Sequence, residues 1–371
     1  MCAKNLFKCG ICALVTGLIF LIAGCVLIPV FHNVIDNEIK EQIPLKDGST
    51  TFNTWKEPDL PIYFQVYVFD LINPLEVVQK GAKPAVTIYG ENHKDGTITY
   101  RETRVFHFDK EKSDGHLETE RFTTVNIPMV TIASLIRYEY SFIQELVELV
   151  LDWGDENNLF MELTVKELVW GYEDNLLKKV NGILLKHNLT GINDTFGLFA
   201  SQNNSDDGLY SIYSGEKGVG NFGIIKEWNN QSMLNYWNTD YCNMVNGTDG
   251  TIFPPFVDKS DKLFLFSSDI CRSIYMEYEG DTTTRGIDTY KFGVPPVVFL
   301  DYKHNPDNAG YCSPKGNCLP SGLLNCSICR EGAPVILSQP HFLAANQSVI
   351  DSIIGLHPNK EEHQTVIHVE P

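Results

Sequence analysis

Residues 9–31, CGICALVTGLIFLIAGCVLIPVF, are 23 consecutive positions without a charge. As a helix the run would be roughly 34 Å long, against about 30 Å for the hydrocarbon core of a bilayer. A chain carrying such a segment either places it in a membrane or loses it to a signal peptidase. The cleaved alternative needs a shorter apolar stretch, of about 7 to 15 residues, and a small-x-small exit. Here Leu27, Ile28, Pro29 and Val30 end the run with large residues. Ile22-Ala23-Gly24-Cys25 has the form of a bacterial lipoprotein cleavage site, a reading opposed by the glycosylation acceptors described below. An uncleaved signal anchor is the expectation. Lys4 and Lys8 precede the run and Asp36, Glu38 and Glu41 follow it. The positive-inside rule therefore keeps residues 1–8 in the cytosol, makes 9–31 the transmembrane helix and sends 32–371 to the luminal or extracellular side. Cys2, Cys9 and Cys12 flank the cytosolic edge, where reversible palmitoylation and simple service as small apolar residues are equally good readings.

The exported part carries the acidity of the chain, whose formal balance is −18. That excludes a nucleic-acid binder working through phosphate contacts, which needs clustered Lys and Arg. With 43% apolar and 20% charged residues the chain is far from a disordered composition. Export predicts glycosylation, and Asn-x-Ser/Thr sequons occur at Asn188, Asn193, Asn203, Asn230, Asn246, Asn325 and Asn346. All fall in the second half of the chain, which is expected to present a sugar-coated face. Six cysteines lie in the same half: Cys242, Cys271, Cys312, Cys318, Cys326 and Cys329. The last four could form a thiolate zinc set, but the first gap is too wide for structural zinc, so no metal is expected and an oxidising compartment favours disulfides. Spacing alone does not choose their pairing.

Local patterns read as mixed α and β. Segments 61–69, 262–266, 273–278 and 294–299 are dense in β-branched and aromatic residues and are expected as strands. From Ser134 to Trp153 the period is helical, with Leu135, Phe142, Leu146, Leu149, Val150 and Trp153 on one stripe and Glu145, Glu148 and Asp152 on another face. A second helix is expected from Thr164 to Val180, with Thr164 as N-cap and Glu167 completing a capping box. Sequence motifs of catalysis are absent: no nucleophile elbow, phosphate loop, dinucleotide fingerprint or His-Glu-x-x-His. His357, His363 and His368, beside Glu361 and Glu362, have spacings that suit no metal motif and read as surface histidines in a loop.

An ordered set of segments resembles the CD36 family, the class B scavenger receptors. These are residues 61–69 followed by Asn73-Pro74 and Glu76; Val169-Trp170-Gly171-Tyr172 with Asp174; and Phe196-Gly197-Leu198-Phe199. Residues 242–250, residues 268–273, Asn305-Pro306-Asp307-Asn308 and Gly332-Ala333-Pro334 follow, then Pro340-His341-Phe342 and His357-Pro358-Asn359 leading to Glu362-His363. Residues 308–329 look most like the lysosomal branch of that family. The resemblance implies an α+β protein: an irregular antiparallel β-barrel core with an apical helical bundle, anchored by the N-terminal helix. It implies a receptor that binds cholesterol, phospholipid, fatty acid or lipoprotein particles, or carries a lysosomal hydrolase, in the lysosomal or plasma membrane, without cofactor or covalent chemistry. A structural membrane glycoprotein and a membrane-anchored hydrolase are the alternatives.

The resemblance also pairs Cys271 with Cys329 and Cys312 with Cys318. In some members the cysteine at 242 joins one at the position of Gly310, so Cys326 is the partner expected for Cys242 here. The family continues beyond the point matching Pro371 to a second span, and the chain is expected to be a fragment or shortened product. After Tyr89-Gly90 a Gly-Pro-Tyr strand of the family is missing, which is expected to leave sheet edges open. The apex differs in charge from the lysine-rich apex of lipoprotein receptors, since Arg137 is the one cation from Ser134 to Glu162. Glu139, Ser141, Phe142, Glu145, Glu148 and Asp152 of the apical helix are either a solvated face or a docking surface for a basic or protein partner. Ser141 stands where the lysosomal branch has a histidine.

Overall fold

The structure is a computed structural model that describes residues 2–58, 62–69, 74–92, 95–113, 116–137, 141, 144–145, 159–186, 193–330, 334–353 and 355–371. A single helix runs from Cys2 to Gln42, taking in the whole uncharged run. Its Val15–Gln42 portion is long and apolar enough to cross a membrane, and none of its most apolar stretch is buried against the rest of the chain.

Beyond the helix most of the described strands build two open antiparallel sheets, three two-stranded pairs complete the set, and no closed barrel forms among the described residues. The first contains, in spatial order, Ile62–Phe69, Pro74–Asn92, Thr97–Phe108, Tyr210–Tyr213 and Ile225–Trp228, with the short strand Ser205–Asp206 also on the third. Pro74–Asn92 runs on past Gly90 and pairs antiparallel with Thr97–Phe108, with Asn92 opposite Thr97. The second sheet is Lys262–Ser267, Arg272–Thr284, Ile287–Gly293 and Val366–Val369. Its long hairpin turns through Arg285 and Gly286, both with positive φ, the geometry that matches the twist of paired strands.

Buried side chains cement the sheets together. Ile98, Tyr100, Tyr210, Ile212, Ile225 and Trp228 of the first sheet share a core with Phe266 and Cys271 at one end of the second and with Trp237 and Cys242 from the connecting segment. Backbone stitches this seam as well. The Gly247 carbonyl accepts from Ile225 N–H at 2.8 Å, and Thr248 exchanges bonds of 3.1 and 2.9 Å with Phe264 and Phe266.

Three of the expected strands are found, within Ile62–Phe69, Lys262–Ser267 and Arg272–Thr284. The segment 294–299 is not a strand: Pro295 and Pro296 have no N–H for a ladder, and Pro296–Phe299 forms a 3-10 turn. The single helix expected from Thr164 to Val180 is two. Thr164 does cap Val165–Trp170 with both capping-box bonds, but Gly171, at φ 104°, ends it. Asp174 accepts from Leu177 N–H at 2.9 Å as Asn175–Lys186 begins. Leu176, Leu177, Val180 and Leu184 of that helix pack on Ile132 of Ile127–Ile136. The latter starts seven residues before the expected apical helix, capped by Asn126 with Pro128 in its first turn. The rest of the expected apical helix lies mostly outside the described residues, so no apical bundle is described.

Candidate functional site

Of the sequence-predicted residues, the exported cysteines gather around one buried cation. Arg272, at the head of the long second-sheet strand, is 3% exposed. Its guanidinium lies 3.8 Å from the Tyr311 ring centre and 4.8 Å from that of Trp237, and it donates to the Asn325 carbonyl at 3.0 Å. Trp237 is fixed in turn by its indole N–H, which donates to Cys271 O at 2.6 Å. Arg272 Nε is buried without a hydrogen-bond partner, and burial depresses the guanidinium pKa. Two aromatic faces thus take much of the role that a carboxylate plays beside most buried arginines.

The six cysteines surround this cation. Cys312 and Cys318 are bridged, as the resemblance implied. The Cys271–Cys329 bridge that the resemblance implied is not formed in the structure: Cys271 Sγ donates to Ser268 O at 3.2 Å and Cys329 Sγ to Cys326 O at 3.4 Å. The expected Cys242–Cys326 bridge is not formed in the structure. Cys242 Sγ donates to Asp307 O at 3.3 Å, whereas Cys326 Sγ faces Leu324 O at 3.8 Å. Cys242 also sits against Gly310, where a Cβ would come 2.6 Å from its sulfur. A cleft of about 40 Å³ opens beside Arg272, lined by Tyr302, Asn308, Tyr311, Leu319 and Leu324 among others. That volume holds a few waters and is far too small for a sterol or acyl chain.

A second polar cluster, with no motif in the sequence to announce it, joins the two sheets. Arg104 pairs with Glu102 and Asp207 at 3.1 Å each and with Asp269 at 3.5 Å, and Arg330 reaches Asp269 at 3.1 Å. Asp207 accepts from Tyr210 at 2.8 Å and Ser268 at 2.6 Å, while Tyr100 donates to Asp249. Burial raises the Glu102 pKa, helped by Asp207 and Asp249 and opposed by Arg104. The available signal was weak: charges at alternate positions of a strand, Glu102 and Arg104, read as a solvated face.

Of the sequons, Asn193, Asn203, Asn230 and Asn346 are exposed, Asn246 and Asn325 are partly buried, and Asn188 lies outside the described residues. Asn325 donates through Nδ2 to Ser313 O at 3.1 Å. In the apical helix Ser141 and Glu145 are helical and exposed, whereas Glu139, Phe142, Glu148 and Asp152 lie outside the described residues. The side chains of Cys2, Cys9 and Cys12 do too. His363, expected on a surface loop, instead closes the helix Lys360–His363 with a side chain 15% exposed, and His368 lies on Val366–Val369. Among the described residues no group of three or more His, Cys, Asp or Glu is placed to hold a metal ion.

Comparison with known proteins bears on the whole assembly. The sequence profile of the CD36 family matches residues 15–371. Lysosome membrane protein 2 of Mus musculus is 36% identical over 378 residues, covering 96% of this chain and 74% of that protein. The protein of the same name from Homo sapiens is 35% identical with the same coverage. Scavenger receptor class B member 1 of Sus scrofa is 34% identical over 368 residues, covering 96% of this chain and 70% of that protein.

Proposed function

The chain belongs to the CD36 family, and from that premise we propose that it is a membrane-anchored receptor glycoprotein that binds lipid and moves it without covalent chemistry. Residues 1–8 are cytosolic in this reading, 9–31 span the bilayer and 32–371 form a luminal or extracellular ectodomain of the lysosomal or plasma membrane. The observation that carries it is the family match along nearly the whole chain, from the apolar helix through both sheets. Relatives named as a lysosome membrane protein and as a scavenger receptor support the membrane and receptor parts. Cholesterol, phospholipid or fatty acid is the ligand class, and the cleft beside Arg272 is not its site, being too small. A Cys271–Cys329 bridge belongs to the same reading, because an oxidising lumen favours joining the two free thiols.

The test is direct. The full chain in lipid nanodiscs is titrated with fluorescent cholesterol and a fluorescent fatty acid. Saturable binding that unlabelled lipid displaces is expected. No saturable binding, with the glycosylated protein intact, would leave a structural glycoprotein. Selective capture of a lysosomal hydrolase without lipid binding would replace lipid by protein cargo, and turnover of an ester or glycoside panel would make the protein an enzyme.

A further inference from the structure

Between Gln339 and Ala345 the backbone is strained. His341, Phe342 and Ala344 hold φ of 53°, 55° and 62°, the left-handed region that non-glycine residues seldom occupy. A later segment lies across this turn. The His363 ring stacks on His341 with centroids 4.1 Å apart and planes 9° from parallel. His357 N–H donates to His341 Nδ1 at 3.2 Å, and Asn359 N–H donates to His363 Nδ1 at 2.9 Å. Thr365 N–H then donates to Gln339 Oε1 at 3.2 Å, and the chain leaves as Val366–Val369, the edge strand of the second sheet.

A ring nitrogen that accepts an N–H carries no proton of its own, so both rings are neutral in this arrangement. A proton on either Nδ1 turns an acceptor into a donor facing another donor. Protonating both also sets two like charges face to face.

We propose that the stacked His341–His363 pair is an acid-sensitive latch, fastening residues 357–359 to the turn 339–344 at neutral pH and letting them go in acid. The charged groups around it have been placed by the same contacts. Burial, then His363 and His357, push the His341 pKa down, against Glu362. Glu362 Oε2 is 3.9 Å from His363 Nε2, but its side chain is 70% exposed and its pull on an imidazolium is screened. Glu279, on the strand beneath, takes Gln364 at 2.7 Å, Lys360 at 2.9 Å and Lys291 at 3.4 Å. Although burial opposes it, these contacts hold its carboxylate below the usual range, so this tether keeps its charge where histidines titrate. Acid thus opens the latch at 357–359 while Glu279 still holds Lys360 and Gln364 to the second sheet.

The sign follows from the lowered His341 pKa. The closed form binds fewer protons than the open form, so the latch is at full strength above about pH 6.5 and weakens as pH falls below it. Each unit of lowering corresponds to roughly a tenfold change in the closing equilibrium.

The experiment is amide hydrogen exchange on the full chain in nanodiscs at pH 7.5 and 5.5, corrected for intrinsic rates. Protection of the His357 and Asn359 amides should fall severalfold at pH 5.5. In the double variant His341→Asn with His363→Asn it should stay level, because a carboxamide oxygen accepts the same N–H groups without titrating and Asn tolerates positive φ. Unchanged protection in the natural chain, or an equal fall in the variant, overturns the proposal. Should the double variant not accumulate, deuterium uptake at imidazole C2 in the natural chain decides the matter. A His341 midpoint below 6.5 supports the latch, and one at or above it removes the latch.

Discussion

Gly247 is the position where a single methyl group should do the most damage. Its φ is 88°, and a Cβ built there would lie 1.9 Å from the Phe264 carbonyl oxygen and 2.2 Å from its carbon. Neither can swing aside, because Phe264 O accepts from Thr248 N–H inside the stitch between the sheets. Two costs therefore add in Gly247→Ala: about 1–2 kcal/mol for an L residue at positive φ, and about 1–3 kcal/mol for overpacking against backbone. Gly286→Ala is the control, since φ is 85° there and nothing lies within 4 Å of its Cβ. It should show the first cost alone. On the usual scaling of stability with melting temperature, Gly247→Ala should lower Tm by roughly 3–7 °C and Gly286→Ala by roughly 1–3 °C. The sequon at Asn246 survives the change, so loss of a glycan does not confuse the reading. Scanning calorimetry of the two variants and the natural chain, under one scan rate, gives the comparison. Equal falls for the two variants would show that the seam yields at Phe264 and that the collision has no energetic weight.

Three other outcomes are expected. Asn325→Gln should leave the gel mobility of the mature glycoprotein unchanged, because Asn325 is half-buried with Nδ2 given to Ser313 O and Oδ1 taken by Ser327 N–H at 2.9 Å, whereas Asn230→Gln at an exposed site should increase it. Glu102→Gln should raise Tm at pH 7.5. The folded-state pKa of Glu102 is raised, so its burial favours the fold below the ordinary carboxylate range and costs stability as pH rises, and the advantage of Gln should shrink on acidification toward pH 4.5. Arg285→Asn, at φ 53° in the hairpin turn, should stabilise by ~0.5–1 kcal/mol, since Asn is favoured at that position, and chemical denaturation would register no gain if the turn relaxes freely.

What the sequence made legible is what short-range physics controls. The uncharged run, the capping box at Thr164 and Glu167, and three strands dense in β-branched and aromatic residues all follow from neighbours a few positions apart. The misreadings have equally local causes. Pro295-Pro296 should have outweighed the β-branched residues around them, and Gly171 should have divided one long helix into two. Asn126-Ile127-Pro128 was a start signal in plain view. The candidate sites were illegible for a different reason. Arg104 meets Asp269, Arg272 meets Tyr311, and His341 meets His363 only after two sheets and several loops have been closed around them.

Charge patterning misleads most where the partner is remote. Arg272 follows a cysteine at the head of a strand, and a lone arginine in such a place reads as a surface residue. Its burial is explained only by the aromatic faces of Trp237 and Tyr311, which belong to segments 35 and 39 residues away. The same holds for His363: weighed with its sequence neighbours it is one more polar side chain near the end of the chain, and weighed with His341 it is half of a stacked pair. A chain whose local patterns announce sheets and a membrane anchor therefore hides its polar devices in the joints between elements. Those joints bind the two sheets into one body in Arg104 and Asp269, and set its response to acid in Glu102 and His341 with opposite signs. A global melting curve against pH would blend these two responses, which is why the latch has to be read at its own amides.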